Sequence, residues 1–177
     1  MKNLLLIIVT SLAVSSCTKN SFITGKDAAV TFSADTLFFD TVFVTTGSVT
    51  QSVKIINQNS QKLRLTDVRL MGGAQSHFSI NIDGSPGPEQ DNIDIDAGDS
   101  LYIFVAVQIT PNSANLPFVV QDSIQVAFNG NQQYIQLQAW GQNANFLQNQ
   151  VLTGSTVWNT TLPYVILGGL QVDTGAT

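Results

Sequence analysis

The stretch IQVAFNGNQQYIQLQA, Ile124 to Ala139, holds two alternating runs on either side of an Asn-Gly pair. Ile124, Val126 and Phe128 fall on one face of the first run, and Ile135, Leu137 and Ala139 on one face of the second. Successive side chains of a strand point to opposite faces, so each run reads as a half-buried strand. Asn129-Gly130 between them predicts a type I′ turn, which needs positive φ at both central residues and therefore favours Asn and Gly. A two-residue turn of this kind joins antiparallel neighbours, so the class of fold is set here.

The same period recurs on the amino-terminal side. Val49, Gln51, Val53 and Ile55 alternate with Thr50, Ser52 and Lys54, and Phe78, Ile80 and Ile82 alternate with Ser79, Asn81 and Asp83. Leu63, Leu65, Val68 and Leu70 follow the pattern with a break near Thr66-Asp67, which predicts a bulge or bend. Leu101 through Ile109 alternates without a break, and Tyr102 and Phe104 make its second face apolar as well, as expected of a central strand. No segment after residue 16 has a helical period. Seven or more short strands separated by turns predict an all-β chain built as an antiparallel β-sandwich.

Composition suits an exported domain. Charged residues are 11% of the 177 and hydrophobic residues 44%, and stretches such as INQNSQ and NQQYIQLQAWGQNANFLQNQ hydrate the surface with amides instead of charges. A net charge of −5 without a basic cluster argues against nucleic acid as a partner.

The first residues explain the single cysteine. Lys2 precedes an apolar run, Leu4 to Val14, that is too short for a membrane span of about 20 residues but long enough for the core of a secretory signal. Val14-Ser15-Ser16-Cys17 then resembles the lipobox of bacterial lipoproteins. That resemblance implies a signal peptide over 1–16, cleavage before Cys17, lipid on its thiol, and a lipidated linker over 17–27. With two or three acyl chains such a protein stays on its membrane. An ordinary signal with a chance Cys is the alternative.

A second resemblance covers about residues 35 to 140. Phe39, Val42, Gly47, Asn57, Leu63, Leu65, Phe78, Gly98, Leu101 and Pro111 fall in the pattern of ASH-type and choice-of-anchor immunoglobulin-like domains. The whole run is similar to the amino-terminal domain of uncharacterised Bacteroidota-type lipoproteins, which implies an immunoglobulin-like sandwich over 28–147 and an outer-membrane location, with the membrane face left open. In that family a parallel β-helix comes next. The tail PYVILGGLQVDTGAT, Pro163 to Thr177, reads as a strand, a Gly-Gly turn, a strand and another turn. The resemblance implies that 148–177 is a linker and the start of a truncated β-helix, expected to be poorly ordered as a fraction of one repeat. The residues alone also allow a terminal hairpin on the sandwich.

Candidates for chemistry are few. His77 is the only histidine, which argues against a Cys/His zinc site or a Ser-His triad and leaves a strand-edge surface residue. Asp91, Asp94, Asp96 and Asp99 lie within DNIDIDAGDS, where loop oxygens could hold calcium, but EF-hand spacing is not met and a solvated edge strand with an Ala-Gly-Asp turn explains them equally. Tyr134 and Trp140 lie opposite Ile135, Leu137 and Ala139 and could form a platform for sugar rings; packing against the tail with Trp158 and Tyr164 is favoured. No cofactor is expected. The reading is a non-catalytic, lipid-anchored cell-envelope module with a structural, spacer or binding role, whose partners are the membrane through Cys17 and an envelope protein or glycan. An accessory domain of a glycan-binding or polysaccharide-degrading β-helix lipoprotein is the alternative.

Overall fold

Two five-stranded sheets face each other across one apolar core. The computed structural model describes residues 21–44, 46–110 and 118–177. In the first sheet the strands β1 (Val30–Phe32), β3 (Gln51–Asn57), β8 (Ser100–Val107), β5 (Phe78–Ile82) and β6 (Ser85–Pro86) lie side by side in that order. In the second the order is β2 (Thr36–Phe43), β10 (Asn131–Gln142), β9 (Phe118–Phe128), β4 (Leu63–Leu70) and β7 (Glu89–Ile95). The only helical element among the described residues is a 3₁₀ turn at Gly73–Gln75.

The alternation read from sequence is the packing. Val53 and Ile55 of β3 and Ile103 and Val105 of β8 are fully buried against Ile124 and Val126 of β9 and Ile135 and Leu137 of β10. Phe39 from the second sheet meets Phe78 from the first with ring centroids 5.8 Å apart, tilted by 57°. Asn129 and Gly130 have φ of 47° and 77° between the paired residues Phe128 and Asn131, as the type I′ reading requires. The break in β4 is a bend: Leu65 and Val68 are both fully buried, so the inward phase shifts by one residue, and Asn92 on β7, between Asp91 and Ile93, takes a left-handed φ of 55°.

One pair of strands in the sandwich is parallel. The first extended segment is shared between the sheets: β1 pairs antiparallel with β3, the chain crosses at residues 33–35, and β2 pairs parallel with β10, Thr36 beside Gln136. Dividing the first strand in this way gives both sheets an edge and makes the sandwich immunoglobulin-like.

The tail departs from expectation. Gly168-Gly169 is not a turn; the strand β12 (Tyr164–Val172) runs straight through it. It pairs in parallel with β11 (Asn145–Leu152), Asn145 beside Tyr164 and Leu152 beside Val172, as a separate two-stranded sheet. Neither a terminal hairpin on the sandwich nor an unstructured tail results. The register shifts at Asn149, where Asn149 and Gly168 both adopt left-handed backbone, φ 45° and 79°, and the Gly169 N–H donates to Asn149 Oδ1 at 3.2 Å. The Asn149 side chain occupies the space that a Cβ on residue 168 would need, so the shift requires glycine there.

Candidate functional site

The hairpin Asn129-Gly130 does more than reverse the chain. Its left-handed backbone turns the Asn129 side chain toward the amino-terminal segment, where Nδ2 donates to the carbonyls of Ile23 and Gly25, both at 3.0 Å. Asn131 Nδ2 donates to the Lys26 carbonyl at 2.8 Å. On the other side, Ile23 N–H donates to the Lys62 carbonyl at 2.9 Å and Gln61 Nε2 donates to Ser21 Oγ at 2.7 Å. The Phe22 ring lies under the Arg64 guanidinium, Cζ to centroid 4.6 Å, with Lys62 Nζ at 6.0 Å. Residues 21–26 are thus clasped between the β9–β10 hairpin of the second sheet and the turn that leads from β3 in the first sheet to β4 in the second.

Arg64 is itself held. Its Nε and Nη2 donate to the two Asp94 oxygens at 2.7 and 2.9 Å, and this bidentate bond keeps the Asp94 carboxyl below the ordinary carboxylate range. Lys62 Nζ reaches Asp96 Oδ1 at 2.8 Å, which raises the lysine pKa through the hydrogen bond and the charge. The remaining corner is fixed by Asn57, fully buried, whose Nδ2 donates to Gln61, Ile95 and Asp96 carbonyls at 2.9, 3.1 and 2.9 Å and whose Oδ1 accepts from Asn59 N–H and Nδ2.

These contacts account for the aspartates read as a calcium site. Asp94 and Asp96 belong to Arg64 and Lys62, Asp99 Oδ1 accepts the Ser100 N–H at 2.7 Å, and Asp91 stands exposed on the edge strand β7 opposite Asp67. Among the described residues no three His, Cys, Asp or Glu side chains converge on a cation position. The Asp96-Ala97-Gly98-Asp99 stretch is a turn closed by Asp99 N–H to the Asp96 carbonyl, with Gly98 at φ 71°.

Tyr134 and Trp140 do share the outer face of β10, 42% and 49% exposed, but six residues of strand separate them by about 20 Å. They form no common platform. The favoured packing against the tail is not made either: Trp158 and Tyr164 stack on each other, centroids 4.5 Å apart, while the Tyr134 hydroxyl accepts from Gln125 Nε2 at 2.8 Å and Trp140 stands beside Val119. Exposed His77 precedes β5, and its carbonyl accepts the Gln108 N–H. Cys17, the signal segment 1–16 and Pro111 lie outside the described residues.

The sequence reading missed an aromatic pair on the first sheet. Tyr102 and Phe104 of β8 point outward with near-parallel rings, centroids 5.9 Å apart and 11° between planes. Lys54 Nζ sits 4.8 Å from the Tyr102 ring, and Ser52 and Asn81 flank Phe104 on the neighbouring strands. In a two-layer sandwich one face of every strand meets solvent, so two aromatics on the second face of β8 could have been read as an exposed pair. A concavity of about 340 Å³ between Leu70, Phe78, Ile80 and Pro86 has no titratable side chain in its lining.

No protein-family model and no curated protein matches the chain. Solved structures do, at low identity. The chain is similar to a family 123 glycoside hydrolase from Clostridium perfringens (8% identity, TM-score 0.45), 71% of this chain covering 30% of that one. It is similar to the CooA pilin subunit from enterotoxigenic Escherichia coli (10% identity, TM-score 0.43; 64% and 97% covered). It also resembles an ASH / PapD-like domain of human CEP192 (9% identity, TM-score 0.38; 64% and 84% covered). These are likenesses of fold, and what those proteins do is their own.

Proposed function

We propose that the chain is a non-catalytic, lipid-anchored module of the cell envelope, held at the outer membrane through Cys17, that acts as a spacer or binding unit toward a protein or glycan partner. The observation that carries this reading is the placement of the two ends of the sandwich. Residues 21–26 are clasped at the end that holds the Asn129-Gly130 hairpin, whereas β10 starts at that end, runs its 12 residues, and delivers the chain to β11 at the opposite end. Eleven steps of strand amount to about 36 Å. A module entered at one end and left at the other sets a distance between an anchor and its load.

A second reading is favoured by the tail: the sandwich as accessory domain of a glycan-binding or polysaccharide-degrading β-helix lipoprotein. Parallel strands joined by a connection of about a dozen residues, with left-handed residues side by side where the register shifts, resemble the pattern by which coils of a solenoid stack.

Intact mass of the native protein extracted from membranes tests both. An acylated chain beginning at Cys17 is expected. An unmodified chain, or one cut elsewhere, would overturn the anchor, and the measured length would say whether further coils lie beyond Thr177.

A further inference from the structure

We infer that the clasp on residues 21–26 stands the sandwich upright, with its hairpin end against the lipid headgroups. The inference rests on the proposed lipid anchor at Cys17. From Cys17 to Phe22 there are five residues, at most about 18 Å when fully extended. Had residues 21–29 been free, the tether would reach from Cys17 to Val30, about 45 Å at the same rise, and the sandwich could meet the membrane on any side. Five hydrogen bonds, from Ile23 N–H, Gln61, Asn131 and twice from Asn129, remove that freedom. The surface brought to the membrane consists of the hairpin, the turn at residues 58–61 and the turn at residues 96–99, which meet around Asn57 and the clasp.

The chemistry of that end fits a headgroup layer. Gln58, Asn59, Ser60, Asn129 and Gly130 make it neutral and polar. Its charges are Lys26 and Lys62 against Asp27, Asp96 and Asp99, and Lys62 already neutralises Asp96. The remaining carboxylates lie along the strands, at Asp35 in the crossing between β1 and β2, in the Asp83-Gly84 turn, or in the tail. With two lysines against three aspartates, one of them paired, this end carries only a small net negative charge toward lipid phosphates. None of the large apolar side chains exposed among the described residues stands there, so it rests on headgroups and does not insert. The exposed rings Tyr102, Phe104 and Trp140 are left on the flanks, open to the surroundings.

The test uses the full-length acylated protein in phosphatidylethanolamine and phosphatidylglycerol vesicles that contain a headgroup-nitroxide lipid. Since acylation consumes Cys17, a single new thiol can carry a fluorophore, Ser60→Cys at the hairpin end or Ala74→Cys at the other. Quenching several-fold stronger at residue 60 than at residue 74 is expected. Asn129→Gly with Asn131→Ala and Gln61→Ala keeps the turn and removes four of the five hydrogen bonds of the clasp, and should bring quenching at residue 60 down toward that at residue 74. Equal quenching at both positions in the parent protein, or no change when the clasp opens, would overturn the inference. Flotation with the vesicles is read first and separately: protein that stays in the soluble fraction removes the anchor, and the orientation with it.

Discussion

Asn57 Nδ2 on β3 donates to the Ile95 carbonyl at the end of β7, 3.1 Å away, and so ties the first sheet to the second. The same amide serves Gln61 and Asp96 and accepts from Asn59. A buried polar group satisfied this fully costs little, whereas its removal strands its partners. Asn57→Ala should lower unfolding free energy by about 3 kcal/mol, read from urea midpoints at constant slope. Asn57→Asp should be at least as damaging near neutral pH, because a carboxylate has no N–H to offer three carbonyls. A loss below about 1 kcal/mol in both variants would mean that this corner does not hold the sheets together.

Gly130 sits at φ 77°, and a Cβ there would meet Lys26 Cε at 3.2 Å. A flexible lysine can yield, but the backbone cannot, since left-handed φ costs an L-residue roughly 1 kcal/mol or more. Gly130→Ala should therefore destabilise by about 1–2 kcal/mol, while Asn129→Gly, which keeps the turn type, should cost less of the sandwich and more of the clasp. Thermal melts report the first, and the rate of limited proteolysis within residues 21–29 reports the second. Equal melting points for the Ala and Gly variants would argue against the type I′ geometry.

Asp94 carries a pH signature. Its hydrogen bond to Arg64 comes first among the causes that hold its pKa below the ordinary 3.8, followed by burial acting the other way and by the charges of Arg64 and Lys62. A carboxyl whose folded pKa is depressed contributes stability that is complete above the unfolded value and is lost as pH falls through the folded one. Denaturant midpoints should thus fall as pH drops below roughly 4, and Asp94→Asn should flatten part of that fall. The pair is solvent-exposed, so salt should weaken its share. A midpoint curve of unchanged shape in Asp94→Asn would show that the pair contributes nothing.

The central strand β8 shows where the sequence was legible and where it was not. Alternation identified Leu101, Ile103, Val105 and Val107 as the buried face, and the strand is central, between β3 and β5. Periodicity says which residues share a face. It does not say that a second face, apolar at Tyr102 and Phe104, will find anything to cover it. The hairpin and the bend in β4 were legible because turn chemistry and phase are local. The clasp was not: Asn129 and Ile23 are joined across 106 residues, and an Asn at a hairpin tip already has a sufficient local reason to be there. Likewise Asp94 and Asp96 looked like oxygen donors until Arg64 and Lys62, remote in sequence, came opposite them. The two faces of β8 should respond unequally. Ile103→Ala should cost about 2–5 kcal/mol, and Phe104→Ser about 1 kcal/mol or less. Comparable losses from both in chemical denaturation would mean that something covers the outer face.

The tail offers a test that separates it from the sandwich. A Cβ on Gly168 would lie 2.2 Å from Asn149 Oδ1, and its φ of 79° disfavours any side chain. Gly168→Ala must therefore expel the Asn149 side chain and lose its bond to the Gly169 N–H. The amides of β12 after the bend should lose hydrogen-exchange protection by ten-fold or more, in line with a local cost of about 1.4 kcal/mol or above. No residue of β11 or β12 is among the buried hydrophobics of the sandwich, and only Phe146 packs against its edge. The amides of β3, β8 and β9 should keep their exchange rates, and the main unfolding midpoint should stay within error. If instead the whole protein melts lower, the β11–β12 pair is part of the sandwich's cooperative unit, and the end-to-end spacing of the module would depend on the tail as well as on β10.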